Sequence, residues 1–135
     1  PQNGGMNGSL WRCYEQTIRE WAKRWGTVEV VVGGSVSSTK TIGNARKITV
    51  PTYYFAVVYR PDTRTAVGVV VPNDDGFDLD VRRYMRNVAE VEELAGVTVG
   101  LPMSTKAAPV RLADWPVLVA QIPYYDPNNS TRNAC

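Results

Sequence analysis

The sequence predicts an α+β fold with a mostly antiparallel sheet and packed helices. Near the start of the chain, over residues 9–25, apolar residues recur at helical spacing. Three later stretches, residues 27–32, 47–60 and 66–71, are rich in β-branched and aromatic residues and are separated by turn residues. An early amphipathic helix followed by consecutive strands is typical of an antiparallel sheet covered by helices.

The helix over residues 9–25 is predicted from one apolar stripe. Its members follow the i, i+3/i+4, i+7 rule and are Leu10, Tyr14, Thr17, Ile18, Trp21 and Trp25. Ser9 or Asn7 is expected to cap the entry with a side-chain oxygen. Gly26 is expected to end the helix.

The strands follow in order after this helix. Residues 27–32 form an almost continuous β-branched run, which predicts a central strand. Residues 35–46 are polar and contain glycine, so a surface loop or a ragged hairpin is expected before extended structure resumes at Lys47. A strand is predicted over Tyr53–Arg60 and a returning strand over residues 66–71. The turn residues Pro61 and Asp62 between them predict an antiparallel hairpin.

A second helix is predicted over residues 88–95. Asn87 is expected to cap it and Gly96 to end it. Its predicted apolar face consists of Val88, Val91, Leu94 and Ala95. Further on, residues 117–122 predict an edge strand, and the last ten residues are expected to be a tail.

Length and composition limit the number of domains and the classes of partner. A length of 135 residues predicts one domain over residues 1–135. With 44% hydrophobic and 21% charged residues and no apolar run long enough to cross a bilayer, no membrane partner is expected. The net charge of +2 is too small to indicate a nucleic-acid partner by itself. Cys13 and Cys135 leave both a disulfide and free thiols open.

Three polar residues lie on the flank of the first helix. Asn7, Glu15 and Arg19 are eight and then four residues apart. At about 100° per residue, Glu15 lies roughly 80° from Asn7 and Arg19 roughly 40° further on, so all three can share one edge. Taken alone, the pattern also fits a loop asparagine followed by an exposed i, i+4 ion pair.

Several ordered motifs resemble the DNA/RNA non-specific endonucleases, the group that contains secreted bacterial nucleases and mitochondrial endonuclease G. Pro1-Gln2 is followed by Asn7-x-x-x-Trp11-x-x-x-Glu15-x-x-x-Arg19, and the run VPTYYFAVVY follows at residues 50–59. Val71-Pro72-Asn73 closes a strand, and the helical stretch near residue 90 leads to Leu101-Pro102. The resemblance is strongest over residues 1–102, which leaves residues 103–135 as a C-terminal extension.

The resemblance implies a ββα-metal (His-Me finger) fold and Mg²⁺-dependent, sugar-non-specific hydrolysis of phosphodiester bonds, with Mn²⁺ as the alternative ion. Asn7 would bind the metal ion, Glu15 would hold water of its hydration shell, and Arg19 would stabilise the transition state. These residue types suit the chemistry, because Mg²⁺ retains most of its waters and a guanidinium fork matches phosphate oxygens. DNA and RNA are the implied partners, a homodimer stays open, and the implied location is secreted or mitochondrial.

The sequence departs from the family pattern because it contains no histidine. In the family, an Asp-Arg-Gly-His segment precedes the position of Pro1-Gln2 and supplies the general base. The nuclease-like domain is therefore expected to be incomplete at its N-terminus, with the upstream segment, or a chain supplying it, as a partner. The alternative is a catalytically inactive nuclease-like domain that binds nucleic acid or protein. A third interpretation is an ordinary α+β domain in which the motifs are coincidental.

Overall fold

A computed structural model describes residues 1–78 and 80–117, and its α+β architecture confirms the predicted fold class. The first helical run consists of α1 (Gly4–Met6), a π-helical turn (Asn7–Trp11) and α2 (Arg12–Trp25). The later elements are β1 (Glu29–Gly34), β2 (Thr41–Ile42), β3 (Ile48–Thr49), β4 (Tyr53–Arg60), β5 (Thr65–Pro72), a 3-10 turn (Val81–Tyr84), β6 (Met85–Arg86), α3 (Val88–Ala95), α4 (Met103–Lys106) and a 3-10 turn (Leu112–Asp114). In these two ranges, no helix has the length and apolar character needed to cross a membrane.

The core is a four-stranded antiparallel sheet of order β1–β4–β5–β6. The predicted hairpin is confirmed, with Tyr53 opposite Pro72 and Arg60 opposite Thr65. The first helical run covers one face of the two central strands and α3 covers the other. Because both faces of β4 and β5 are buried, these strands have continuous apolar sequences instead of alternating ones.

The apolar stripe of the first helix is confirmed. Leu10, Tyr14 and Trp21 are completely buried and Thr17 is 1% exposed, while the other two members are half-buried and pack against the same cluster. Gly26 ends the helix as predicted, with a positive φ of 86° and its N–H donated to the carbonyl oxygen of Ala22. The stripe therefore attaches the helix to the sheet.

The prediction of a central strand over residues 27–32 is wrong. The strand begins at Glu29, and within the described part of the chain it pairs only with β4, so it lies at the edge of the sheet. The side chains of Val30, Val31 and Val32 are 39%, 49% and 58% exposed. A β-branched run favours extended backbone. Its side chains are buried only where other elements cover the faces of the strand, and local sequence does not specify those elements.

The segment between β1 and β4 forms the hairpin that was one of two predicted alternatives. Strands β2 and β3 pair over two residues each. The predicted strand Tyr53–Arg60 is confirmed in its bounds. Residues 48–49 instead pair with β2 in a separate sheet, so it was wrong to expect the first part of the range 47–60 in the main sheet. The short strand Met85–Arg86 was not predicted, because two residues are too few to produce a recognisable pattern.

The second helix is confirmed in its bounds and caps. Asn87 and Glu90 form a reciprocal capping box, and Gly96 adopts a left-handed φ of 70° at the C-cap. Its buried face contains Val88, Val91 and Ala95, but Leu94 is 39% exposed, so placing Leu94 on that face was wrong. An eight-residue helix contacts the sheet along only one narrow stripe, and Leu94 lies at its margin.

Some predictions fall on residues that the structure does not describe. The predicted strand over residues 117–122 lies outside the described part except for Val117, and the predicted tail lies wholly outside it. Cys13 is 3% exposed within the core, whereas Cys135 is not among the described residues.

A largely buried ion pair connects α3 to α4, with the Lys106 side chain 9% exposed and the Glu92 side chain 17% exposed. Lys106 Nζ lies 2.6 Å from Glu92 Oε1, and the same carboxylate accepts the Val99 N–H at 2.6 Å. The hydrogen bond from Lys106, followed by the bond from Val99, lowers the pKa of Glu92 below its ordinary value of 4.5. The pair therefore stabilises the fold fully above the unfolded-state pKa, and this contribution disappears as the pH falls through the folded-state pKa.

Substitution of Lys106 by Met is expected to destabilise the fold at pH 7 by roughly 1–3 kcal/mol, between the values for exposed and buried pairs. The difference between variant and parent should shrink as the pH falls below the ordinary pKa of Glu92 and through its lowered folded-state pKa, because protonation of Glu92 also removes the pair from the parent. Urea unfolding over a series of pH values from 7 downward measures both. Lys23→Met is the matched control, since Lys23 pairs with Glu20 at the surface. Equal losses in the two variants would contradict this prediction.

Candidate functional site

The first helix begins earlier than predicted. Asn3 is the N-cap, and its side-chain oxygen accepts the Met6 N–H at 3.0 Å. The predicted caps Ser9 and Asn7 both lie inside the helical run, and Ser9 is buried with its hydroxyl donated to the carbonyl oxygen of Gly5. Gly4 and Gly5 adopt helical backbone although glycine has a low helix propensity. The Asn3 cap and the burial of Met6 in the core stabilise this first turn.

The π-helical turn changes the angular relation of the three candidate residues. A π turn uses one residue more than an α turn. The eight-residue step from Asn7 to Glu15 therefore rotates like about seven α-helical steps, which leaves the two side chains roughly 20° apart instead of about 80°. Arg19 lies about 40° from Glu15 in the opposite rotational sense, so Asn7 lies between the two, about 20° from each. Asn7, Glu15 and Arg19 are all exposed.

The polar groups of Asn7 and Glu15 are not engaged within the described part of the chain. Among residues 1–78 and 80–117, no side-chain hydrogen bond or ion pair involves either one. Arg19 instead donates from Nε to the Gln16 side-chain oxygen at 2.9 Å. The alternative interpretation of Glu15 and Arg19 as an exposed i, i+4 ion pair is therefore wrong for this structure.

Glu15 borders an open cavity of about 500 Å³ between the helix and the edge strand. The cavity is lined by Gln2, Trp11, Glu15, Val32, Gly33 and Tyr54. Trp11 and Tyr54 meet edge to face with their ring centroids 6.0 Å apart, and burial raises the pKa of Tyr54. The structure thus brings Glu15 to the cavity wall, whereas Asn7 and Arg19 do not line it.

Sequence reasoning missed the residues that support this site. Trp11 falls within the motif that carried the resemblance, but its place in the cavity wall depends on β1 and Tyr54, which are distant in sequence. Asn73 was also missed. Its side chain accepts the Asn3 N–H at 2.6 Å and donates to the carbonyl oxygens of Pro1 and Pro51 at 3.0 and 2.9 Å. Its sequence signal was its place in Val71-Pro72-Asn73, one of the motifs of the resemblance, which gave no role to the side chain.

The donor chemistry fits a hydrated, hard divalent cation. Asn7 offers one exposed amide oxygen, and Glu15 offers an exposed carboxylate further along the same edge. Mg²⁺ keeps several waters and is commonly bound through only one or two protein oxygens. Within the described residues there is no group of three or more His, Cys, Asp or Glu side chains able to enclose a metal ion. A site with few protein ligands is therefore the kind that these residues can form.

An antiparallel sheet with helices packed on it places the chain among α+β domains. A model of the DNA/RNA non-specific endonuclease family matches residues 1–105, and the chain belongs to that family. The recognition from sequence is thereby confirmed. Nuclease function, hydrolysis of nucleic acid and use of a divalent metal are typical of the family. No curated protein matches the sequence.

Proposed function

We propose that this chain is the part of a Mg²⁺- or Mn²⁺-dependent, sugar-non-specific endonuclease that lies downstream of the catalytic histidine, with DNA and RNA as substrates. The observation that carries the proposal is the pair Asn7 and Glu15, which are exposed, unengaged in the described structure and turned to one edge by the π-helical turn. Family membership over residues 1–105 supports nuclease chemistry in general.

Each residue of the edge has one role. The Asn7 side-chain oxygen would hold the divalent ion, which would supply Lewis-acid stabilisation of charge on the phosphate. Glu15 would accept hydrogen bonds from hydrating water and so orient it. Arg19 directs its guanidinium fork at the phosphate oxygens, where charge increases in the transition state.

Hydrolysis also needs a general base. Water forms a new bond to phosphorus and gives up a proton, while one bridging P–O bond breaks and the departing oxygen takes up a proton. Histidine is the side chain best suited to accept the proton near pH 7, and the 135 residues contain none. We assign this role to a histidine outside residues 1–135, on an upstream Asp-Arg-Gly-His segment or on a chain that supplies it.

The absence of histidine from residues 1–135 also favours a second function. A nuclease-like domain without any histidine also fits a catalytically inactive module that binds nucleic acid or protein. The two proposals differ in what precedes Pro1 in the encoded polypeptide. An Asp-Arg-Gly-His segment there favours the enzyme, and its absence from that polypeptide and from any co-purifying chain favours the binding module.

The test compares residues 1–135 with the complete encoded polypeptide, each purified free of host nuclease and incubated with plasmid DNA and RNA in Mg²⁺. We expect no appreciable cleavage by residues 1–135, because an ordinary carboxylate is a weak base at pH 7. The complete polypeptide should cleave both substrates and stop when EDTA removes the metal ion.

Two results would contradict the proposal. Cleavage by residues 1–135 that disappears with EDTA and in Asn7→Ala would show that the chain carries its own general base. A complete polypeptide that binds nucleic acid without cleaving it, despite Mg²⁺ or Mn²⁺, would leave the binding module as the function.

A further inference from the structure

We propose that Asn73 is a positioning residue for the metal-binding helix, because it holds the segment Pro1–Asn3 in the place that sets the position of Asn7. The inference rests on the proposed function in one respect, namely that Asn7 binds the ion. It adds to the site the residue that directly follows β5, sixty-six positions along the chain from Asn7.

Asn73 uses its whole side-chain amide to join three parts of the chain. Its Oδ1 accepts the Asn3 N–H at 2.6 Å, and its Nδ2 donates to the carbonyl oxygens of Pro1 and Pro51 at 3.0 and 2.9 Å. Its own backbone N–H donates to the carbonyl oxygen of Thr52 at 2.9 Å. The end of β5 is thus fixed to the segment before β4, and both are fixed to the segment before the helix.

Only two hydrogen bonds separate Asn73 from Asn7. The first is the bond from the Asn3 N–H to Asn73, and the second is the bond from the Asn7 N–H to the Asn3 carbonyl oxygen at 2.9 Å. Asn3 also caps the helix through the Met6 N–H. A shift of Asn3 therefore passes directly into the π-helical turn that carries Asn7, and a ligand misplaced by about 1 Å loses much of its function.

An asparagine meets the demands of this position because the three bonds need one acceptor and two donors on a short side chain. Aspartate keeps the acceptor for Asn3 but has no donor for the carbonyl oxygens of Pro1 and Pro51. Alanine loses all three bonds. Neither change removes apolar contacts of the helix, whose Met6 and Leu10 are completely buried in the core. The expected defect is therefore local to the start of the helix.

The experiment measures two properties of Asn73→Ala and Asn73→Asp in residues 1–135, with Asn44→Ala as the control at an exposed asparagine in the loop between β2 and β3. The first is hydrogen exchange at the Met6 and Asn7 amides. Both Asn73 variants should exchange about tenfold faster there, with central-strand amides unchanged. The second is Mn²⁺ affinity from the electron paramagnetic resonance signal of the free ion, which should weaken about tenfold, since supporting residues of metal sites contribute effects of this size.

The outcomes separate this inference from the proposed function. Unchanged exchange at Met6 and Asn7 would overturn the positioning role. Faster exchange with unchanged Mn²⁺ affinity would also overturn it, because Asn73 would then support only the helix end. A parent chain that binds no Mn²⁺, or binds it equally well as Asn7→Ala, would refute Asn7 as the ligand. It would thereby refute both the proposed function and this inference, while exchange would still report whether Asn73 holds the segment.

Discussion

Asn7→Ala is expected to lower Mg²⁺-dependent cleavage by the complete encoded polypeptide about a thousandfold, because a bound metal ion contributes several kcal/mol to stabilising the transition state. Asn7 supplies the direct protein oxygen for that ion in the proposed site. The substitution should leave the fold intact, since the Asn7 side chain is exposed. Plasmid and RNA cleavage over a range of Mg²⁺ concentrations measures the loss, and circular dichroism measures folding.

The control for this prediction is Asn44→Ala, which removes an exposed asparagine far along the chain from the helix. It should cleave like the parent. If Asn7→Ala retains both the activity and the Mg²⁺ dependence of the parent, Asn7 does not belong to the site. If excess Mg²⁺ restores Asn7→Ala to the parental rate, the residue contributes affinity for the ion and little to the chemical step.

The parts of the fold that were predicted correctly depend on local pattern combined with strong turn or cap signals. The hairpin of β4 and β5 follows from two long apolar runs around Pro61-Asp62, and α3 follows from Asn87 and Gly96. The position of β1 did not follow, because a run such as Val30–Val32 specifies extended backbone without specifying which neighbours cover it. Whether β1 lies at the edge or in the centre depends on how all the strands of the sheet pair.

Sequence spacing identifies the candidate residues of the site but not their relative geometry. The spacing of Asn7, Glu15 and Arg19 indicates a common edge, but the calculation assumed α-helical geometry throughout. No local sequence signal reveals that Asn7–Trp11 forms a π-helical turn, which reduces the angle between Asn7 and Glu15. The bonds of Asn73 to Pro1 and Asn3 join residues about seventy positions apart, and spacing rules describe only near neighbours.

The largest effect on stability is expected at Trp21, which anchors α2 in an aromatic cluster. Trp21 is completely buried, and its Nε1 donates to the carbonyl oxygen of Pro116 at 2.8 Å. Its ring centroid lies 5.1 Å from that of Trp115, 5.8 Å from that of Trp25 and 6.1 Å from that of Tyr14. Arg60 extends the cluster, with its guanidinium carbon 3.8 Å from the centre of the Trp25 ring.

Trp21→Ala is therefore expected to destabilise the fold by roughly 3–5 kcal/mol, since the change removes a buried aromatic ring and leaves a cavity among three others. Trp21→Phe keeps a ring but loses the half-buried hydrogen bond to Pro116, so it should cost about 1–3 kcal/mol from the lost bond and the smaller ring. Urea unfolding followed by circular dichroism gives both values. A near-neutral Trp21→Ala would mean that the helix does not pack through this face. An equal loss of unfolding free energy in the two variants would mean that the hydrogen bond to Pro116, and not the ring, holds α2 to the rest of the fold.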